Sequence, residues 1–233
     1  AKQNGDVNKA AELYVSWLKN NDEEQKYTKV LNTLLGLPIS QHKITEYLNS
    51  VIPSVSSSEI LYSVTRNLAE IEEHLGSLES AQKHYQTAAF INSGNGQDWE
   101  SLYRSALLLY EFGENERALS QAKTIKTTAS DTELSRKASL LISLLYYENN
   151  DIEQSRKSFH DLYNELKQYS FGAEQLYLMF RLASLLQVSR DTIKSIAEEI
   201  KNEYPNSFSY HLILNQEKNK HGELSVFPTP RTF

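Results

Sequence analysis

With 233 residues, 39% of them hydrophobic and 23% charged, the chain has the makeup of a packed, well-solvated protein. It is large enough for one sizeable domain or two small ones. A net charge of −6 excludes general nucleic-acid binding, which needs clustered Lys and Arg to displace counterions from phosphate. With no cysteine, disulfides, thiolate metal sites and Cys nucleophiles are excluded, and no apolar run approaches the roughly 18 residues of a membrane span.

The first predicted helix covers 6–20, because Val7, Ala10, Ala11, Tyr14, Trp17 and Leu18 fall on one face at three-four spacing. Asn20, Asn21 and Asp22 break it and are expected to cap the next helix, 24–35, whose apolar side is Tyr27, Val30, Leu31 and Leu34. Gly36 and Pro38 end that helix, and a short helix over 41–51 is stopped by Pro53. Residues 1–53 thus read as N-terminal capping helices. In the serine run that follows, one hydroxyl is expected to cap the helix that begins at Ser58; a flexible linker is the alternative.

Three helix pairs follow, over 58–75 with 78–91, 97–112 with 115–127, and 131–147 with 152–167. Gly76, Gly113 and Asn150 sit at the turns, each 37 residues from the next. After each turn comes a small residue (Ala81, Ala118, Ser155), then Tyr85, Ala122 or Phe159 four positions on. A fixed period of this size marks an array in which each hairpin buries its face only against its neighbours. Between the first two pairs, residues 92–96 form a glycine-containing loop, and no Gly-Lys-Ser/Thr follows to make it a phosphate cradle. A fourth, degenerate hairpin is expected over 173–186 and 191–204, then a capping helix over 207–215, with 173–215 as one block. Residues 222–233 contain two prolines and no periodicity, and read as an extended or disordered tail.

These residues resemble the tetratricopeptide repeat family. Leu68-Ala69, Gly76, Ala81, Tyr85 and Ala88 match its pattern well; Ser105-Ala106, Gly113, Ala118 and Ala122 match with Ala122 in place of the usual aromatic; Ile142-Ser143, Ser155 and Phe159 match more weakly. The clearest repeats cover 58–167. The resemblance implies an all-α, right-handed helical-hairpin solenoid of about four to five hairpins, running as a single domain over 1–233. It also implies that the first helix of each pair lines a concave groove. That groove then receives Arg66, Glu70 and His74, next Tyr103, Leu107 and Tyr110, then Lys137, Leu140, Leu144 and Tyr147, and finally Tyr177 and Arg181. Exposed, these tyrosines and leucines suit a peptide or helix from a partner protein; the alternative is that they pack against neighbouring helices. The family's cage for a terminal carboxylate finds only Arg66, Asn67, Arg104 and Lys137 here, and is not carried over.

No catalytic constellation stands out. The six histidines include no His-Glu-x-x-His, and His74 beside Glu70 and Glu73 reads as a solvated helix surface before it reads as a metal site. His84 and His160 lie beside core aromatics and are expected to be half-buried. Four Ser-x-x-Lys tetrads, such as Ser80–Lys83, lack the companions of a penicillin-binding site. The leading expectation is therefore a non-enzymatic scaffold for a partner protein, with no cofactor and no metal. The alternative is a small apolar ligand or lipid carrier associated with a transporter or the bacterial envelope, motivated by Leu107, Leu140, Leu144 and the tyrosines. The segment Tyr204-Pro205-Asn206-Ser207 looks like repeat ends of bacterial outer-membrane lipoproteins that carry such repeats. With the start at Ala1, this favours a periplasmic or cell-envelope location and a lipid anchor upstream; a trimmed cytoplasmic chain is the other option.

Overall fold

The computed structural model describes residues 2–21, 23–91, 97–166, 169–207 and 209–213, with side chains from 6 onward except at 166 and 174. The loop expected at 92–96 and the tail at 222–233 lie outside the described residues. Among the described residues every regular element is helical. The chain forms two compact units, Ala1–Leu109 and Tyr110–Phe233.

In the first unit, α1 (Lys2–Asn20), α2 (Glu24–Leu35) and α3 (Gln41–Val51) are followed by one 3-10 turn, Ile52–Ser54, and then by α4 (Ser58–His74) and α5 (Leu78–Phe90). The unit also takes in most of α6 (Trp99–Glu111). Helix α1 begins earlier than the apolar spacing predicts. Asn20 and Asn21 do not cap α2: their amides donate to the carbonyls of Ser16 and Trp17, closing the last turn of α1, and the residue before α2 is Glu23 with no side-chain cap bond. The serine run is a cap and not a linker, since Ser57 Oγ accepts the Ile60 N–H at 3.4 Å. Helices α1–α3 and α4 as far as Leu68 share one apolar core, in which Leu18, Tyr27, Leu31, Leu34, Leu48 and Leu68 are almost fully buried. Beyond it, α4 packs on α5 around Ala69, Ala81 and Tyr85, joined by Leu108.

The second unit holds α7 (Asn115–Thr128), α8 (Thr132–Glu148), α9 (Ile152–Leu166), α10 (Ala173–Leu185) and α11 (Arg190–Glu203). Helix α8 packs against α7, α9 and α10, and α10 against α11. Its main core gathers Phe159, Leu162, Phe171, Leu176, Met179, Leu182, Ile196 and Ile200. After α11, residues 209–213 are helical, within the span expected for the last helix.

The small residues do what their spacing predicts. Ala69, Ala81, Ala106, Ala118, Ser143 and Ser155 are all fully buried. Close helix–helix approach needs side chains that short, because ridges of one helix must enter grooves of the other. Gly76 and Gly113 take φ of 76° and 75°, a left-handed turn that glycine enters without steric penalty. The segment 204–207 has its own local role: the Tyr204 hydroxyl donates to the Phe171 carbonyl at 2.9 Å, and Ser207 Oγ accepts the Tyr210 N–H at 3.1 Å.

Candidate functional site

The polar end of the first unit is organised by Asp98, just before α6. Its Oδ1 accepts the Ser101 N–H at 3.1 Å, the arrangement of an N-cap aspartate, and Oδ2 accepts the Ser101 hydroxyl. The same Oδ2 takes the Tyr62 hydroxyl at 2.9 Å and Arg66 Nη1 at 3.1 Å from α4. Arg66 also donates to the Tyr62 hydroxyl at 2.9 Å and to Glu70 at 3.3 Å. One carboxylate thus ties a helix start to the middle of another helix. Burial raises the pKa of the Asp98 carboxyl, but the Ser101 hydroxyl and N–H, with Arg66 and Tyr62, outweigh it and hold the group below its ordinary value. Burial of Arg66 opposes its charge, yet Tyr62, Asp98 and Glu70 more than compensate and raise its pKa.

Next to this network lies a pocket of about 210 Å³. Arg66, Glu70 and His74 of α4 line it together with Ser101 and Arg104 of α6. Glu73, Tyr85 and Glu100 complete the wall. The Tyr85 hydroxyl donates to Glu73 at 2.7 Å, and burial followed by the Glu73 carboxylate raises its pKa strongly. Arg104 approaches Glu73 at 3.8 Å. Outside this lining, Glu72 of α4, 4% exposed, meets His84 Nδ1 of α5 at 2.6 Å. The lining therefore offers fixed donors and acceptors of both signs, a surface for hydrogen-bonded, charged groups.

The three α4 positions named from the sequence come together in this pocket. Tyr103 and Leu107 of α6 are half-buried and are not among its lining. In the second unit the expected groove positions divide differently. Leu140 and Tyr177 are 2% and 1% exposed and belong to the main core, so they do not line a groove: sequence spacing gave their helix face, but α8 and α10 pack that face on each other. Leu144 and Tyr147 are half-buried against the same core. Tyr110 is half-buried, and burial, then the Glu148 carboxylate, raises its pKa against the opposing field of Arg181. Lys137 pairs with Glu133 at 3.2 Å, and Arg181 lies over the Tyr177 ring at 6.0 Å.

Tyr62, Asp98 and Ser101 were not singled out from the sequence. The available signal was Asp98 three residues before Ser101, an N-cap spacing that starts α6 at Trp99, two residues later than the periodicity suggests.

Helical hairpins at a 37-residue period, with short buried side chains at each crossing, define a helical-hairpin repeat protein. Its fold is the tetratricopeptide-repeat fold. The chain is similar to PilF of Pseudomonas aeruginosa, with a TM-score of 0.51 and 16% identity over 90% of this chain and 99% of that one. A tetratricopeptide repeat protein from Parabacteroides merdae matches with a TM-score of 0.51 and 17% identity, covering 91% of this chain and 75% of the other. YrrB, a tetratricopeptide-repeat protein with an unusual peptide-binding site, matches with a TM-score of 0.53 and 10% identity over 83% and 89% of the two chains. No family model matches the sequence, and no curated protein matches it significantly.

Proposed function

We infer that this protein is a non-enzymatic scaffold that holds a partner protein or peptide, and that the α4–α6 pocket of the first unit is where the partner docks. The observation that carries the reading is the meeting of Arg66, Glu70 and His74 with Ser101 and Arg104 around one polar pocket. A peptide brings what such a lining recognises: backbone N–H groups for Glu70 and Glu100, and carbonyls or a carboxylate for Arg104. The Asp98 network holds Arg66 and the start of α6 in place beforehand, so less ordering is needed on binding. Similarity in fold to YrrB, described as having a peptide-binding site, is in keeping with this.

Of the apolar positions behind the ligand-carrier alternative, Leu140, Leu144 and Tyr147 belong to or pack on the core of the second unit and Leu107 is half-buried, which favours the scaffold over a small-molecule or lipid carrier. The bacterial envelope location is part of the same reading and rests on the segment 204–207. Membrane fractionation of the native protein tests it. No described helix is long and apolar enough to cross a membrane.

The binding test is recovery of partners from native extract by wild type and by Glu70→Ala/Arg104→Ala. A protein retained by wild type and recovered about tenfold less by the variant, with helicity unchanged, supports the site. Equal recovery overturns it.

A further inference from the structure

The second unit carries a separate pocket of about 200 Å³, built from the other side of its hairpins. Its floor is Ile142, 4% exposed, with Tyr146 one turn further along α8. These two lie roughly 200° around the helix from Leu140 and Leu144, so the face that fills the core and the face that lines this pocket are distinct. Three lysines stand around it: Lys123 and Lys126 from one turn of α7, and Lys157 from α9. Lys123 extends over the Tyr146 ring, with its ammonium 5.2 Å from the centroid, an arrangement that orients the charge at the pocket mouth. A concentration of cations is unexpected on a chain of net charge −6. It produces a local field opposite in sign to that of the molecule as a whole, which draws in a short anionic segment more readily than an extended polyanion.

We propose that this lysine pocket docks an acidic segment of a partner protein, with Asp or Glu carboxylates meeting Lys123, Lys126 and Lys157. The remaining lining distinguishes a peptide from a phosphate group. Gln154, Ser158 and Asp161 add hydrogen-bond acceptors to the rim. Backbone N–H groups of a peptide use such acceptors, whereas phosphate, chiefly an acceptor at neutral pH, leaves them unmet. Ile142 and Tyr146 offer an apolar surface for a side chain between the carboxylates. None of these residues belongs to the α4–α6 pocket, so the two sites stand or fall independently.

Fluorescence anisotropy with a fluorescein-labelled hexaglutamate peptide tests the proposal on the full chain. Wild type is expected to bind, and to bind more weakly at high salt as the field is screened. Lys123→Gln/Lys126→Gln/Lys157→Gln is expected to weaken binding at least about tenfold. All three lysines are solvent-exposed, so the fold is retained, as circular dichroism will verify. Asp161→Asn should tighten binding, which gives a gain of function that misfolding cannot imitate, while Lys26→Gln, at an exposed lysine of the first unit outside both pockets, leaves it unchanged. Failure of the peptide to bind, unchanged affinity in the triple variant, or displacement of the peptide by an equal concentration of inorganic phosphate overturns the proposal.

Discussion

Gln187, at φ 52°, stands 37 residues after Asn150, at φ 59°, and the two close their hairpins with the same pair of backbone hydrogen bonds. The Asn150 and Asp151 N–H groups reach the Tyr147 and Tyr146 carbonyls at 2.9 and 2.8 Å; those of Gln187 and Val188 reach Ser184 and Ala183 at 3.2 and 3.1 Å. Gly76 and Ser77 do the same with Glu73 and Glu72 at 3.0 and 2.8 Å. This is the Schellman closure of a helix, and it extends the period to the fourth hairpin. Gln is a poor residue for a left-handed turn because its Cβ crowds the following carbonyl. Gln187→Gly is therefore expected to raise stability by about 0.5–1 kcal/mol, and Gly113→Ala to lower it by about 1 kcal/mol. An added Cβ at Gly113 meets nothing within 4 Å, so the loss there is one of backbone conformation alone. Midpoints of urea unfolding check both.

Ser155 and Ser143 occupy the hairpin crossing that Ala81 and Ala69 occupy in the first clear repeat. Ser155 Oγ–H donates to the Ser143 carbonyl at 2.8 Å, with both residues fully buried. Ser155→Ala removes that bond and is expected to cost about 1 kcal/mol. Ala81→Leu and Ser155→Leu overpack the crossing and should cost roughly 1–3 kcal/mol. Equal stability of the leucine variants and wild type in denaturant titration would contradict a close crossing.

Acid sensitivity follows from Asp98. A carboxyl whose pKa lies lower in the folded chain contributes stability that is complete above the unfolded value, ordinarily 3.8, and is lost as pH falls through the folded value. Asp98→Asn is expected to be less stable than wild type by roughly 1 kcal/mol at neutral pH, from the lost ion pair with Arg66 and the loss of the charged oxygen that accepts from Tyr62 and Ser101. The gap should close as pH drops below 3.8. Unfolding curves at neutral and acid pH measure it.

At the alkaline end, Tyr27 is 1% exposed, and burial pushes its phenol up to about 12 from the ordinary 10.0. The unfolded chain loses this proton first, so stability falls as pH rises from 10.0 towards about 12. Among the described residues the buried hydroxyl has no hydrogen-bond partner. Tyr27→Phe is expected to keep or raise neutral-pH stability by up to about 1 kcal/mol and to flatten the alkaline decline. Thermal melts across that range decide it.

Much of the fold was legible because helix periodicity, turn glycines and short crossing residues are local signals. The bounds of α2 and α3 follow from apolar spacing and the breakers around Gly36 and Pro53, and Ala69, Ala81, Ala106 and Ala118 announce where helices cross. The site was legible only in part. Arg66, Glu70 and His74 sit on the face that their spacing indicates, while Asp98 falls between two helices, where periodicity carries no information.

The sequence by itself thus determined the hairpins, their 37-residue period and which face of each helix is apolar, since these depend on residues a few positions apart. Tertiary structure alone decided what that face meets. Arg66 and Tyr177 are equivalent positions relative to their turns, yet one lines a polar pocket and the other is sealed in a core. The difference is set by packing between helices far apart in the chain. Likewise Gln187 is forced into its turn by the helices on either side of it, and Lys123, Lys126 and Lys157 converge only because α7 and α9 both flank α8.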